Sequence, residues 1–150
     1  MIVPPESSLA RALAFSGVAA LGLEATLQGC GVSAAAHEVT VQGPPVAQDT
    51  EQWTLPPGMV LEGAWLAGPG DQIAVRLTAS MPDLDWDIHR HDGGGTQELI
   101  DGLGVAAVDY AFAPDLASTW YIIVRNHATT ALDVDVVLGM YGNARWQGWQ

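Results

Sequence analysis

The feature that most constrains the fold of this chain is a two-residue alternation of apolar and polar side chains that begins near residue 37. Between residues 72 and 80, Ile73, Val75 and Leu77 alternate with polar or small neighbours. Successive side chains of a β-strand point to opposite faces of its sheet, so this period predicts a strand with one buried and one wet face. The alternation recurs between clusters of turn-forming residues, which predicts an all-β antiparallel fold, a β-sandwich or a small barrel, with the sandwich favoured.

The spacing of these segments predicts about eight strands. Residues 119–126 are apolar at both alternating positions, which is typical of a central strand. No stretch after residue 37 has the period of a long helix. The predicted strands cover residues 37–42, 52–55, 60–66, 72–80, 85–91, 107–112, 119–126 and 132–141.

The N-terminal segment is typical of an export signal. Residues 12–23 (ALAFSGVAALGL) form an apolar run of about 12 residues behind Arg11, which fits a signal peptide and is too short to span a bilayer. The sequence Leu27-Gln28-Gly29-Cys30 follows it and resembles the bacterial lipobox. The resemblance implies a signal helix and signal peptide over residues 1–29, and a lipid-modified Cys30 with a tether over residues 30–45. The predicted β-sandwich then covers residues 46–150.

An alternative remains open for the same segment. Ser7 or Ser8 can cap an amphipathic helix over residues 9–28, with Cys30 as a buried thiol beyond it. The remaining sequence does not need such a helix to complete its core, so export is the favoured interpretation.

Charge excludes several classes of partner. The net charge is −12, lysine is absent, and all five basic residues are arginines, so no basic stripe can neutralise a phosphate backbone. Nucleic acid is therefore not an expected partner, and membrane attachment has to come from apolar groups. Cys30 is the only cysteine, so the chain cannot form an internal disulfide.

The densest polar cluster spans residues 83–92 (DLDWDIHRHD). Its odd positions share one face of a strand, and the carboxylates of Asp83, Asp85 and Asp87 suggest calcium. Same-face neighbours on a strand lie about 6.6 Å apart, so all three cannot bind one ion in an extended chain. A calcium site formed by Asp83 in the preceding loop, Asp85 and a facing loop residue stays open. A solvated acidic face is the alternative.

The same cluster contains an HxH pair, His89 and His91. This spacing lets two imidazoles converge on zinc or another transition metal, with His127, Asp87 or Asp92 as a third ligand. The alternative is two ordinary surface histidines beside a glycine-rich turn.

Six tryptophans suggest a further binding mode, stacking against sugar rings. Trp146 and Trp149 follow the last predicted strand and are the candidates for such stacking, or else they cap one end of the sandwich. The others fit buried strand positions: Trp53, Trp65, Trp86 and Trp120.

Three segments together resemble the bacterial pre-peptidase C-terminal domains. They are residues 70–75 (GDQIAV), 83–88 (DLDWDI) and 120–126 (WYIIVRN). The resemblance covers about residues 60 to 140 and implies a jelly-roll-like sandwich that serves as an extracytoplasmic binding or stabilising module.

The chain lacks the nucleophile-elbow motif G-x-S-x-G, and no pair of carboxylates stands out for glycoside hydrolysis. The sequence therefore predicts a non-enzymatic, membrane-anchored lipoprotein of the cell envelope. Its sandwich is expected to bind an envelope protein, a polysaccharide or a cation.

Overall fold

The computed structural model describes residues 35–150, and this part of the chain forms ten β-strands. The predicted signal peptide, the lipidation of Cys30 and the alternative N-terminal helix all fall on residues outside this range. The strands are β1 (Ala36–Glu38), β2 (Ala47–Leu55), β3 (Val60–Ala67), β4 (Gln72–Ala79), β5 (Leu84–Asp92), β6 (Gly95–Val105), β7 (Ala107–Pro114), β8 (Ser118–Asn126), β9 (Leu132–Tyr141) and β10 (Arg145–Trp149).

The strands form two antiparallel sheets of five. Sheet A has the order β1-β7-β4-β9-β2, and sheet B has the order β10-β3-β8-β5-β6. The inner orders 2-9-4-7 and 3-8-5-6 are those of a jelly roll. From β2 to β9, consecutive strands alternate between the two sheets except for the β5–β6 hairpin, which lies within sheet B. The predicted all-β sandwich is therefore confirmed.

Two of the ten strands were not predicted. β6 is an exposed edge strand, and its pairing with β5 shifts register twice, so its apolar residues keep no regular period. β10 shifts register between Trp146 and Gly148, which breaks the alternation of its indoles. At the other end, β1 lies within the region predicted as a tether, so the folded part begins by Ala36.

The core lies between the sheets, where the predicted alternation places it. Ile73, Val75 and Leu77 of β4 are fully or almost fully buried. The same is true of the alternating residues of β9 and of the inward side of β8. Each such aliphatic side chain contributes about 1.5–3 kcal/mol through the apolar surface that it removes from water.

The outward side of sheet A is partly covered by the chain itself. β1 and β2 lie at opposite edges of this sheet, so residues 39–46 cross its outer surface. Val39 N–H donates to Ala111 O at one side and Val46 N–H to Met140 O at the other, at 2.9 and 2.8 Å. Between these points Pro45 lies over the small residue Gly139.

Candidate functional site

The candidate site lies on the outward side of β5. The even residues Leu84, Trp86 and Ile88 are buried in the core, which confirms the inward position of Trp86. The odd residues therefore project from the opposite side of sheet B, as the sequence predicts. The first of the predicted carboxylates, Asp83, lies in the turn that precedes β5.

His89 is the central side chain of this surface. Its Nδ1 lies 2.5 Å from Oδ1 of Asp87, and only 4% of the side chain is exposed. Its ring stacks on that of Tyr121 with centroids 5.4 Å apart, and it meets the His91 ring edge-on at 5.0 Å. The second histidine turns its own Nδ1 towards Thr96 Oγ1, 3.2 Å away. Two of the predicted ligands therefore form a packed aromatic pair.

The third predicted histidine lies elsewhere. His127 Nδ1 contacts Oδ2 of Asp85 at 3.0 Å, while Asp87 pairs with His89. The predicted ligands are thus divided between two separate acid–histidine pairs. Within residues 35–150, no three side chains of the metal-binding types converge in a way that could hold an ion.

A shallow cavity of about 140 Å³ opens beside these pairs. Its acidic rim is not evident from the sequence, because Glu98 and Asp101 come from the unpredicted β6. Across the sheet, Asp101 lies opposite Asp87 and Glu98 lies opposite His89. The side chains around the cavity are those of Asp85, Trp86, Asp87, Glu98, Asp101, Leu103, Ile123 and Arg125.

The motif residues of the family resemblance have internal hydrogen-bond partners. Asp71 accepts from the backbone N–H of Gly68 and of Asn143, at 2.9 and 2.7 Å. Asp85 accepts from the N–H of Gly104 at 2.9 Å and is 8% exposed. The Asp71 carboxylate therefore joins two turns, and the Asp85 carboxylate joins β5 to β6, each by charge-assisted hydrogen bonds.

Asn126 has the same kind of role at the other end of the sheet. It is fully buried, and its amide donates to the carbonyls of Leu55 and Thr130, each at 2.8 Å. Its carbonyl oxygen accepts from Ala128 N–H, also at 2.8 Å. The side chain thus binds the end of β2 and the turn that follows β8.

The two C-terminal indoles lie beside the open edge of the sandwich. Trp146 packs against buried Trp65, and Trp149 meets Trp53 edge-to-face, with centroids 4.9 and 4.6 Å apart. A Cβ atom on Gly63 would lie 2.2 Å from the Trp146 ring, so glycine is needed beneath it. Both indoles are half-buried and packed against other aromatic rings, an arrangement that closes this edge.

Tyr110 gives a pH-dependent prediction. Burial, with the nearby Glu38 carboxylate as a smaller cause, raises the pKa of its phenol above the usual value of about 10. Its contribution to stability is complete below the pKa of the unfolded chain and is lost as the pH rises through the raised pKa. We expect Glu38→Gln to lower this pKa only partly, because burial is the larger cause.

The absorbance of the phenolate as a function of pH measures this pKa. Subtracting the titration curve of Tyr110→Phe isolates the contribution of Tyr110 from that of the other tyrosines. Glu62→Gln, on the other sheet, is the matched charge control and should leave the titration unchanged. Equal shifts in the two glutamine variants would contradict a local effect of Glu38.

No model of a known protein family matches the chain, and the search of curated proteins finds no significant match. No helix in the described part of the chain is long and apolar enough to cross a bilayer.

Proposed function

We propose that this protein is an exported lipoprotein of the bacterial cell envelope, anchored through acylated Cys30. Its β-sandwich serves as a non-catalytic binding or accessory module. The observation that carries the proposal is the order of an apolar run and the lipobox-like Leu27-Gln28-Gly29-Cys30. An apolar run of this length suits a removable signal, and the cysteine stands where acylation would leave it as the first mature residue.

The start of the folded part is compatible with this anchor. Only residues 31–35 separate Cys30 from β1, and five residues span at most about 18 Å when fully extended. Acylation would therefore hold the sandwich close to the membrane surface. Acyl chains would supply the membrane affinity, at about 0.8 kcal/mol per buried methylene, that a chain of charge −12 cannot obtain from anionic lipid.

The assignment as a binding or accessory module draws on the polar residues of the domain. The carboxylates of Asp71 and Asp85 accept hydrogen bonds from the protein backbone, and Asn126 is fully buried. These side chains thus stabilise the fold, and the proposal gives them no part in a reaction. The resemblance to pre-peptidase C-terminal domains points to the same kind of module.

The anchor is tested by Cys30→Ala in a bacterial host that processes lipoproteins. We expect the variant to lack acyl chains and to leave the detergent phase almost completely, because the acylated thiol is the proposed membrane contact. The measurements are intact mass and phase partitioning. Ser33→Ala, three residues further on, is the control and should remain acylated. An unchanged mass and distribution for Cys30→Ala would refute the anchor.

A further inference from the structure

The outward surface of sheet B, here called the β5 face, exposes aliphatic side chains. Val60 and Leu66 of β3 and Leu103 of β6 are 43%, 46% and 73% exposed. The first two alternate with the buried side chains of their strand, and Leu103 borders the cavity beside β5. Ile123 lies between them on β8 and is half-buried. Sheet A differs, because residues 39–46 cross its outward surface.

The same face carries more carboxylates than arginines. It carries two arginines: Arg125 lies directly across the sheet from Asp85, and Arg145 lies beside Leu66 at the β10 edge. Neither makes any of the ion pairs found within the described residues. Glu98 and Asp101 are exposed and accept none of the side-chain hydrogen bonds found there. Of the other carboxylates on this face, Asp85 and Asp87 already pair with His127 and His89, and Glu62 projects from β3.

We propose that the β5 face docks a polypeptide segment in which lysine or arginine alternates with aliphatic side chains. Binding is favoured because it removes the exposed aliphatic side chains from water. The carboxylates favour a positively charged partner and increase its rate of association. A second copy of this chain, at a net charge of −12, would be repelled. A small cation would leave the aliphatic side chains uncovered. The inference deepens the proposed function, since it rests on the sandwich being a binding module.

The test is a calorimetric titration of the full chain, in detergent, with a short peptide that alternates lysine and leucine. We expect saturable binding that weakens as salt is added. Glu98→Gln with Asp101→Asn should weaken it about tenfold, as two partly screened charge contacts are lost. Leu103→Ser should weaken it by a similar factor, because an aliphatic contact is lost.

The matched control is Asp133→Asn with Asp135→Asn, which removes the same charge from the exposed side of β9 in sheet A. This control should bind as the unaltered chain does. Equal weakening by both double variants would overturn the proposal, since only the overall charge would then matter. Equal binding of a glutamate–leucine peptide would also overturn it.

Two further outcomes identify other occupants and would likewise overturn the proposal. Spermine that binds as tightly as the peptide would indicate a site for small polycations. Self-association of the chain that Leu103→Ser abolishes would indicate a second copy. Acylation is measured by intact mass and peptide docking by calorimetry, so failure of the lipoprotein proposal and failure of the docking proposal are distinguishable.

Discussion

Asn126→Ala is expected to lower the free energy of unfolding by about 3–4 kcal/mol. The side chain is fully buried and makes three hydrogen bonds of 2.8 Å to backbone groups. Alanine leaves these groups without the amide, and each buried group that loses its partner costs about 1–3 kcal/mol. Water has partial access to the turn after β8, so the expected loss of stability is smaller than the sum of the costs of the three groups.

Denaturant unfolding followed by tryptophan fluorescence measures this change. Asn143→Ala is the matched control, because its side chain is exposed and only its backbone N–H is used. The control should stay within about 0.5 kcal/mol of the unaltered chain. A loss of less than about 1 kcal/mol for Asn126→Ala would contradict the structural role assigned to the amide.

Asp71→Ala is expected to cost about 2–3 kcal/mol and to loosen β10. The carboxylate joins the turn before β4 to the turn after β9 through the N–H groups of Gly68 and Asn143. Hydrogen bonds to a charged group contribute about 1.5–3 kcal/mol each, with the lower end expected near a surface. The turn after β9 packs closely against Asp71, since a Cβ on Gly142 would lie 2.6 Å from its Oδ1.

Loosening β10 should move Trp146 and Trp149 into water and shift tryptophan emission to longer wavelength before global unfolding begins. Asp109→Ala is the control, because that side chain is 77% exposed and its ion pair with Arg76 contributes little. Emission from Asp71→Ala that matches the unaltered chain would show that this carboxylate does not hold β10.

The sequence predicts the fold where burial imposes a period. β4 and most of β9 are deeply buried only on the inward side, so their alternation reveals both the strands and their inward residues. β6 is exposed along most of its length and bulged, so burial imposes no pattern on it. β10 was missed because its bulge separates Trp146 from Trp149.

The candidate site was predictable only in part. Alternation places Asp85, Asp87 and His89 on one side of β5, but it does not reveal which strands lie beside them. The pairing of Asp85 with His127 joins residues that are 42 positions apart and depends on sheet order. Glu98 reaches the site through β6, so it could not be connected to the other carboxylates.

The lipoprotein proposal is tested most directly by mass spectrometry of the protein extracted from the membranes of its native host. The predicted result is a mature chain that begins at Cys30 and carries acyl chains. A chain that retains residues 1–29 and has an unmodified thiol at Cys30 would contradict it.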